Sequence, residues 1–320
     1  MNDPVDTVPD DVMLRLPDGV VLHVELHGCR DTVAETTVVL LHGWTLDRRL
    51  WHSQIADLPA RLGGAKRVRI LAVDLRGHGA SSQASARSAT MPQLADDLAV
   101  VMRELVEPGR AVVVGHSLGG MALVEYAHRY PAEFVASVTG VIMINSSAEG
   151  ALHTRYGLQP VLAAAVRAAE LGGTGVLARI GLGRPHRHLM PALSPIVRWL
   201  VFGSDVRQAD IRLVTQMVGV ASLRSIGAFR PAIEHQRRLG ALGVMRDIPV
   251  IVMAGGRDRL TPLACGESIA AALPHAVLRV IDDAGHLLPL EHPEQVTDAI
   301  VDVCLLAGSD GPPQADAAAR

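Results

Sequence analysis

The residues with the clearest chemical potential are Gly115-His116-Ser117-Leu118-Gly119-Gly120. They stand directly after the apolar run Ala111–Val114 and directly before the helically spaced Met121-Ala122-Leu123-Val124-Glu125-Tyr126. A serine on a tight turn between strand and helix has its hydroxyl lifted above the sheet, and side chains two residues to either side would collide there. Gly115 and Gly119 remove that collision. The turn also places Ser117 at a helix N-terminus, where unpaired N–H groups and the helix dipole favour negative charge on a reacting oxygen. The Leu118 N–H is one expected donor. Taken alone, a five-letter Gly-x-Ser-x-Gly recurs by chance in glycine-rich chains, and the strand before it and helix after it are what give it weight.

A serine hydroxyl is a weak nucleophile at neutral pH, so it needs a base, and the base needs a carboxylate to fix its tautomer and stabilise its charged form. Of fourteen histidines, only His286 lies in a Gly-His loop just beyond the last strand-like run, Ala276–Ile281. In a parallel sheet that loop opens on the same edge as Ser117. Asp258 follows the run Val250–Met253 at that edge, and Asp282 and Asp283 lie beside His286 in sequence.

The elements that must position these residues can be read from periodicity. Residues 12–28 alternate around the turn pair Asp18-Gly19, the pattern of a hairpin. Short, nearly continuous apolar runs follow at Thr37–Leu41, Val68–Val73, Ala111–Val114, Val138–Ile144, Pro249–Met253 and Ala276–Ile281. Such runs suit strands buried on both faces. Helical spacing fills the intervals at Leu50–Leu62, Met91–Leu105, Leu118–Tyr130, Leu263–Leu273 and Pro293–Leu306. Alternating strand and helix implies right-handed crossovers with helices on both sheet faces. The exception is about 147–242, where helical segments broken by Gly and Pro carry no strand signal; within it, Val161–Leu182 reads as a helical pair. From Leu306 onward apolar periodicity is lost, as in a mobile tail.

At this point the chain resembles the α/β-hydrolase superfamily from about residue 12 to residue 305. Four motifs fall in that family's order: Leu40-Leu41-His42-Gly43-Trp44, Asp74-Leu75-Arg76-Gly77-His78-Gly79, the serine turn, and Asp282-Asp283-Ala284-Gly285-His286. A fifth, Gly255-Gly256-Arg257-Asp258-Arg259-Leu260-Thr261-Pro262, resembles the family's acid-bearing turn. The resemblance implies an α/β fold: a mostly parallel eight-stranded sheet with helices on both faces and an inserted helical cap. Residues 1–146 and 243–305 would form the core, 147–242 a cap or lid, and 306–320 the tail. It also implies a catalytic triad of Ser117, Asp258 and His286, since the order Ser, Asp, His is the family's. Some relatives carry the acid one strand earlier, but that segment here, Ile144-Asn145-Ser146-Ser147, holds no carboxylate. By the same resemblance the second oxyanion N–H comes from Trp44, while Asp74, Arg76 and His78 hold loops together; His116, beside Ser117, and His292, before Pro293 where a helix begins, read as scaffold.

The reaction so implied is hydrolysis of an acyl ester, a lipid ester or a lactone, through an acyl-enzyme. An acyltransferase or cofactor-free perhydrolase would use the same triad, and a non-catalytic ligand-binding member is a third class, although such members commonly lose a triad residue. Dehalogenases and epoxide hydrolases of this fold carry Asp where this chain has Ser117. Carbon–carbon hydrolases and proline-releasing peptidases carry a Gly-Pro-Gly type loop where this one reads Trp44-Thr45-Leu46-Asp47. The apolar content of 147–242 leans towards a medium or long acyl group.

Composition narrows the partners. Thirty basic and thirty-three acidic residues are scattered without a stripe that could follow a phosphate backbone, so nucleic acid is not expected. Neither is a cofactor or metal, because no dinucleotide glycine fingerprint and no metal-ligand spacing occurs. Cys29, Cys265 and Cys304 are odd in number and far apart, which fits a reducing compartment. The start Met-Asn-Asp-Pro-Val-Asp lacks the pattern of a secretory signal. No apolar stretch approaches the ~20 uninterrupted residues of a membrane span. A cytoplasmic enzyme acting on a small acyl ester is the expectation, with oligomeric state left open.

Overall fold

The computed structural model describes residues 10–29, 33–180, 190–203 and 206–309. Its centre is one eight-stranded sheet in the order β1-β2-β4-β3-β5-β6-β7-β8. Strands β1 (Asp10–Arg15) and β2 (Val21–Gly28) form the hairpin around Asp18-Gly19. Strand β2 also pairs antiparallel with β4 (Val68–Asp74), so it alone runs against the others. Strands β3 (Thr36–Leu41), β4, β5 (Ala111–His116), β6 (Val138–Ile144), β7 (Val250–Gly255) and β8 (Val277–Ile281) are mutually parallel. Every loop leaving the carboxyl end of one of those six strands therefore emerges on one edge.

The apolar runs are continuous because both faces are covered. Val39, Leu41, Val113 and Met143 pack on one side with Leu94, Leu98, Met121, Leu123 and Ile269. Their neighbours Val38, Leu40, Val114 and Ile142 pack on the other with Leu58, Val296, Ile300 and Val303. Successive side chains of a strand point to opposite faces, so two apolar layers demand an unbroken apolar strand. The helices supplying these layers are α1 (His52–Arg61), α2 (Met91–Leu105), α3 (Leu118–Arg129) and the short α4 (Pro131–Ser137) before the insertion. After it come α9 (Leu263–Ala272), α10 (Leu288–Glu291) and α11 (Pro293–Ser309), the last running beyond the expected end at Leu306; residues 310–320 lie outside the described residues.

Between β6 and β7 the chain forms α5 (Pro160–Ile180), α6 (Met190–Val201), α7 (Gln208–Val220) and α8 (Leu223–His235), and no strand among the described residues. Here one expectation is corrected: Pro160–Ile180 is a single helix, not a pair. Gly172, Gly173 and Gly175 each weaken a helix by about 1 kcal/mol relative to Ala, but unlike Pro they keep the N–H that the backbone ladder needs. No described helix is long and apolar enough to cross a membrane.

Candidate active site

Strand β5 ends in the turn that carries Ser117. Its backbone has φ 52° and ψ −115°, a left-handed conformation that costs a non-glycine residue of order 1–3 kcal/mol. The surroundings enforce it: the Ser117 N–H donates to Ile144 O at 3.0 Å and the Ser117 carbonyl accepts from Met121 N at 3.1 Å. Ser146 adds its hydroxyl to the same carbonyl at 2.8 Å. A Cβ on Gly115 would stand 2.5 Å from the Gly120 Cα, and one on Gly119 would stand 2.3 Å from Leu41 O. Those glycines let the start of α3 lie against β5 and the end of β3.

That close approach also brings His42-Gly43-Trp44 alongside Ser117. A Cβ built on Gly43 would be 3.1 Å from the Ser117 Cβ. Neither the Trp44 N–H nor the Leu118 N–H is hydrogen-bonded to another described residue. The Trp44 ring packs against the core, with its Nε1 buried and without a partner among the described residues. His42 fixes this loop as a neutral tautomer: its Nδ1–H donates to Gly43 O at 2.7 Å and its Nε2 accepts from Leu75 N at 3.0 Å.

Near Ser117, His286 Nδ1–H donates to Asp258 Oδ2 at 2.8 Å, and both residues are buried at 6% exposure. That bond leaves Nε2 with its lone pair. Asp258 is itself held: Oδ1 accepts from Leu260 N at 2.8 Å and Thr261 N at 2.9 Å, and Oδ2 from the Thr261 hydroxyl at 2.6 Å. The alternatives Asp282 and Asp283 are both exposed, and Asp283 stands 3.5 Å from His292 Nε2. The Ser117 hydroxyl and the His286 imidazole share no hydrogen bond, a contact that in hydrolases often tightens only with substrate in place.

His116 spans the gap between them. Its ring centroid lies 4.8 Å from that of His286, and its Nε2–H donates to the His286 carbonyl at 2.7 Å. Asn145, at the end of β6, donates from Nδ2 to Gly285 O at 2.9 Å and His286 O at 2.8 Å, and accepts from Gly255 N at 2.8 Å. Sequence reasoning noted only that this position lacks a carboxylate. Asn145 is instead the brace between the end of β7 and the His286 loop, at a φ of 44°.

The remaining motif residues are scaffold. Arg76 is fully buried, with Nε and Nη2 on Asp97 at 2.7 and 2.6 Å and Nη1 on Asp18 at 2.6 Å. Asp74 accepts from Arg48 N and Ala80 N, each at 2.8 Å, and its carboxyl is held well below the usual range despite burial, by His23 and these N–H groups.

Burial pushes three imidazoles down: His42, His78 to about 3, and His116 well below its ordinary value. The unfolded chain gains protons at these positions as pH falls below about 6.5, while the native state does not. Their stabilising contribution is therefore complete above pH 6.5 and is lost towards acid, for His78 at up to about 1.4 kcal/mol per pH unit on the way down to about 3. Asp97 and Glu291, raised by burial, act in the opposite sense, as does His23, raised first by its bond to Asp74. The expected result is an unfolding free energy, measured with guanidinium, that falls between pH 6.5 and 5, with His78→Gln flattening the slope by up to about 1.4 kcal/mol per pH unit. An equally steep slope in that variant would mean that His78 is not the neutral group described.

Comparison with known proteins now bears on this geometry. A family model described as "Alpha/beta hydrolase family" matches residues 38–299. The chain belongs to the alpha/beta hydrolase family. Among its relatives, the pimeloyl-[acyl-carrier protein] methyl ester esterase of Aromatoleum aromaticum is 32% identical over 276 residues, covering 83% of this chain and 97% of that one. Among solved structures, an esterase from Exiguobacterium antarcticum superposes with a TM-score of 0.74 at 18% identity, over 92% of this chain and 100% of that one. The enol-lactonase from Burkholderia xenovorans gives 0.71 at 24% identity, again over 92% and 100%. These alpha/beta hydrolase structures share the fold.

Proposed function

We propose that the protein is a serine hydrolase cleaving a carboxylic ester, with Ser117 as nucleophile, His286 as general base and Asp258 as the acid that orients it. The observation that carries the reading is the convergence, on one sheet edge, of a strained serine turn with a buried Asp258–His286 pair whose Nδ1–H is committed to the acid. Ser117 Oγ attacks the acyl carbon as its proton passes to His286 Nε2; the Trp44 and Leu118 N–H groups receive the oxyanion. Collapse of the tetrahedral intermediate releases the alcohol, protonated by His286. Water, deprotonated by the same nitrogen, then frees the acid and restores Ser117. The relative from Aromatoleum aromaticum, named as a methyl ester esterase, supports the substrate class.

We assign residues 147–242 as a cap. Support comes from the end of α6, whose Val201 carbonyl accepts the His286 N–H at 2.8 Å. A cleft of about 620 Å³ between α6, α7 and Arg259 is lined by Trp199, Phe202 and Ile211; Ser117, Asp258 and His286 do not line it, and its place beside Arg259, the residue after Asp258, is what makes it the candidate seat for an acyl chain.

The test is labelling with a fluorescent fluorophosphonate, followed by turnover of p-nitrophenyl esters of increasing acyl length. Stoichiometric labelling is expected, with kcat/KM rising from acetyl to medium chains. Well-folded protein that takes no label would overturn the reading, and a profile highest at acetyl would remove the acyl role of the cleft.

A further inference from the structure

The last residue of α10, Glu291, carries a carboxylate that the reaction just described does not use. Glu291 Oε2 accepts the Gly203 N–H at 2.7 Å and the Gly285 N–H at 3.0 Å, while Oε1 accepts the Leu287 N–H at 3.0 Å and a second, 3.1 Å contact from Gly285. Gly285 and Leu287 are the residues on either side of His286, and Gly203 is the second residue beyond α6. One side chain thus grips the base loop at both shoulders and fastens it to the inserted helices. Burial pushes the carboxyl up, and these three N–H groups, with His292, offset part of that.

The same end of α6 touches the acid loop. Arg259 Nη1 donates to Trp199 O at 2.7 Å, and its guanidinium lies 4.8 Å from the centroid of the Trp199 ring. The last carbonyls of a helix have no partner within it and carry the negative end of its dipole, so a cation and an N–H are the groups they accept best. Here Arg259 supplies the cation and His286 the N–H. Close packing seals the junction: a Cβ on Gly203 would stand 2.1 Å from Asp283 O and 2.5 Å from Gly285 N.

We propose that Glu291 is a positioning residue for His286, and that with Arg259 it makes the carboxyl end of α6 part of the catalytic geometry. This rests on the assignment of His286 as base. Glu291→Gln keeps the size of the side chain but turns an NH2 group towards backbone N–H donors, so either the Gly203 tie to the inserted helices or the Leu287 bond is lost, and the bond to Gly285 loses its charge. Charge-assisted bonds of this type are about twice as strong as neutral ones. In Glu291→Gln, kcat and the fluorophosphonate labelling rate fall at least tenfold with KM within twofold, and the downfield proton resonance of the His286 Nδ1–H shifts or broadens. Glu291→Asp, which keeps the charge, recovers part of the rate.

Unchanged kcat together with an unchanged resonance, whatever happens to the melting temperature, overturns the proposal. The resonance reports on His286 without turnover, so a protein that proves inactive on every ester still decides it separately from the hydrolase reading. Should the variants not fold, native-state hydrogen exchange decides: the Gly203, Gly285 and Leu287 amides exchange together with a common protection factor if one carboxylate holds all three, and independent exchange overturns it.

Discussion

Ser117→Ala is expected to lower kcat on the best ester by about 10⁵–10⁶-fold and to abolish fluorophosphonate labelling, since it removes the hydroxyl that would form the acyl-enzyme. The fold should not suffer. Alanine keeps the Cβ and hence the strain of φ 52°, and the bonds that enforce the turn, Ser117 N–H to Ile144 O and Ser146 Oγ to the Ser117 carbonyl, involve only the backbone of residue 117. Thermal unfolding of the alanine variant should therefore lie close to the native value, while Ser117→Gly, equally inactive, should gain about 1 kcal/mol by removing the strain. Residual turnover above a hundredth of native would mean that another residue is the nucleophile.

Asp258→Asn should cost about 10⁴-fold in kcat, and the reason lies in where its donors sit. Two backbone N–H groups, from Leu260 and Thr261, point at Oδ1, so in the amide the oxygen takes that position. The NH2 then faces His286 Nδ1, which must turn into an acceptor. The proton moves to Nε2, and the nitrogen that should receive the serine proton already carries one. Asp282→Asn and Asp283→Asn, both at exposed positions, should stay within about twofold of native because neither alters that tautomer. The assignment of the acid fails if either surface change costs more than Asp258→Asn.

Much of this was legible in the sequence, for identifiable reasons. The strands were readable because burial on both faces leaves unbroken apolar runs, as in Val38 to Leu41 and Val112 to Val114. The serine turn was readable because glycines at 115 and 119 answer a collision that any side chain would meet. Asn145, Thr261 and Glu291 were not, because their work is to bind main-chain groups that are remote in sequence: Asn145 reaches Gly285 and His286, and Glu291 reaches Gly203. A hydrogen bond to a backbone atom leaves no residue-type pattern at the far end. Helix α5 departs from the expected pair for a local reason, since glycine weakens a helix without ending it, and the α8 against which it packs lies far along the chain.

The junction at Val201, Phe202 and Gly203 also bears on recombination between members of this fold. Inserted segments look portable, as though cut at the ends of β6 and β7 and exchanged for another. Here the seam runs elsewhere, because the His286 N–H, the Glu291 carboxylate and the Arg259 guanidinium all close on main-chain atoms of 199–203. A chimera that imports foreign helices would need to retain that stretch of host sequence as the anchoring stub. Crossovers placed on the sheet side of it would carry away the backbone against which this chain seats His286, Arg259 and Glu291.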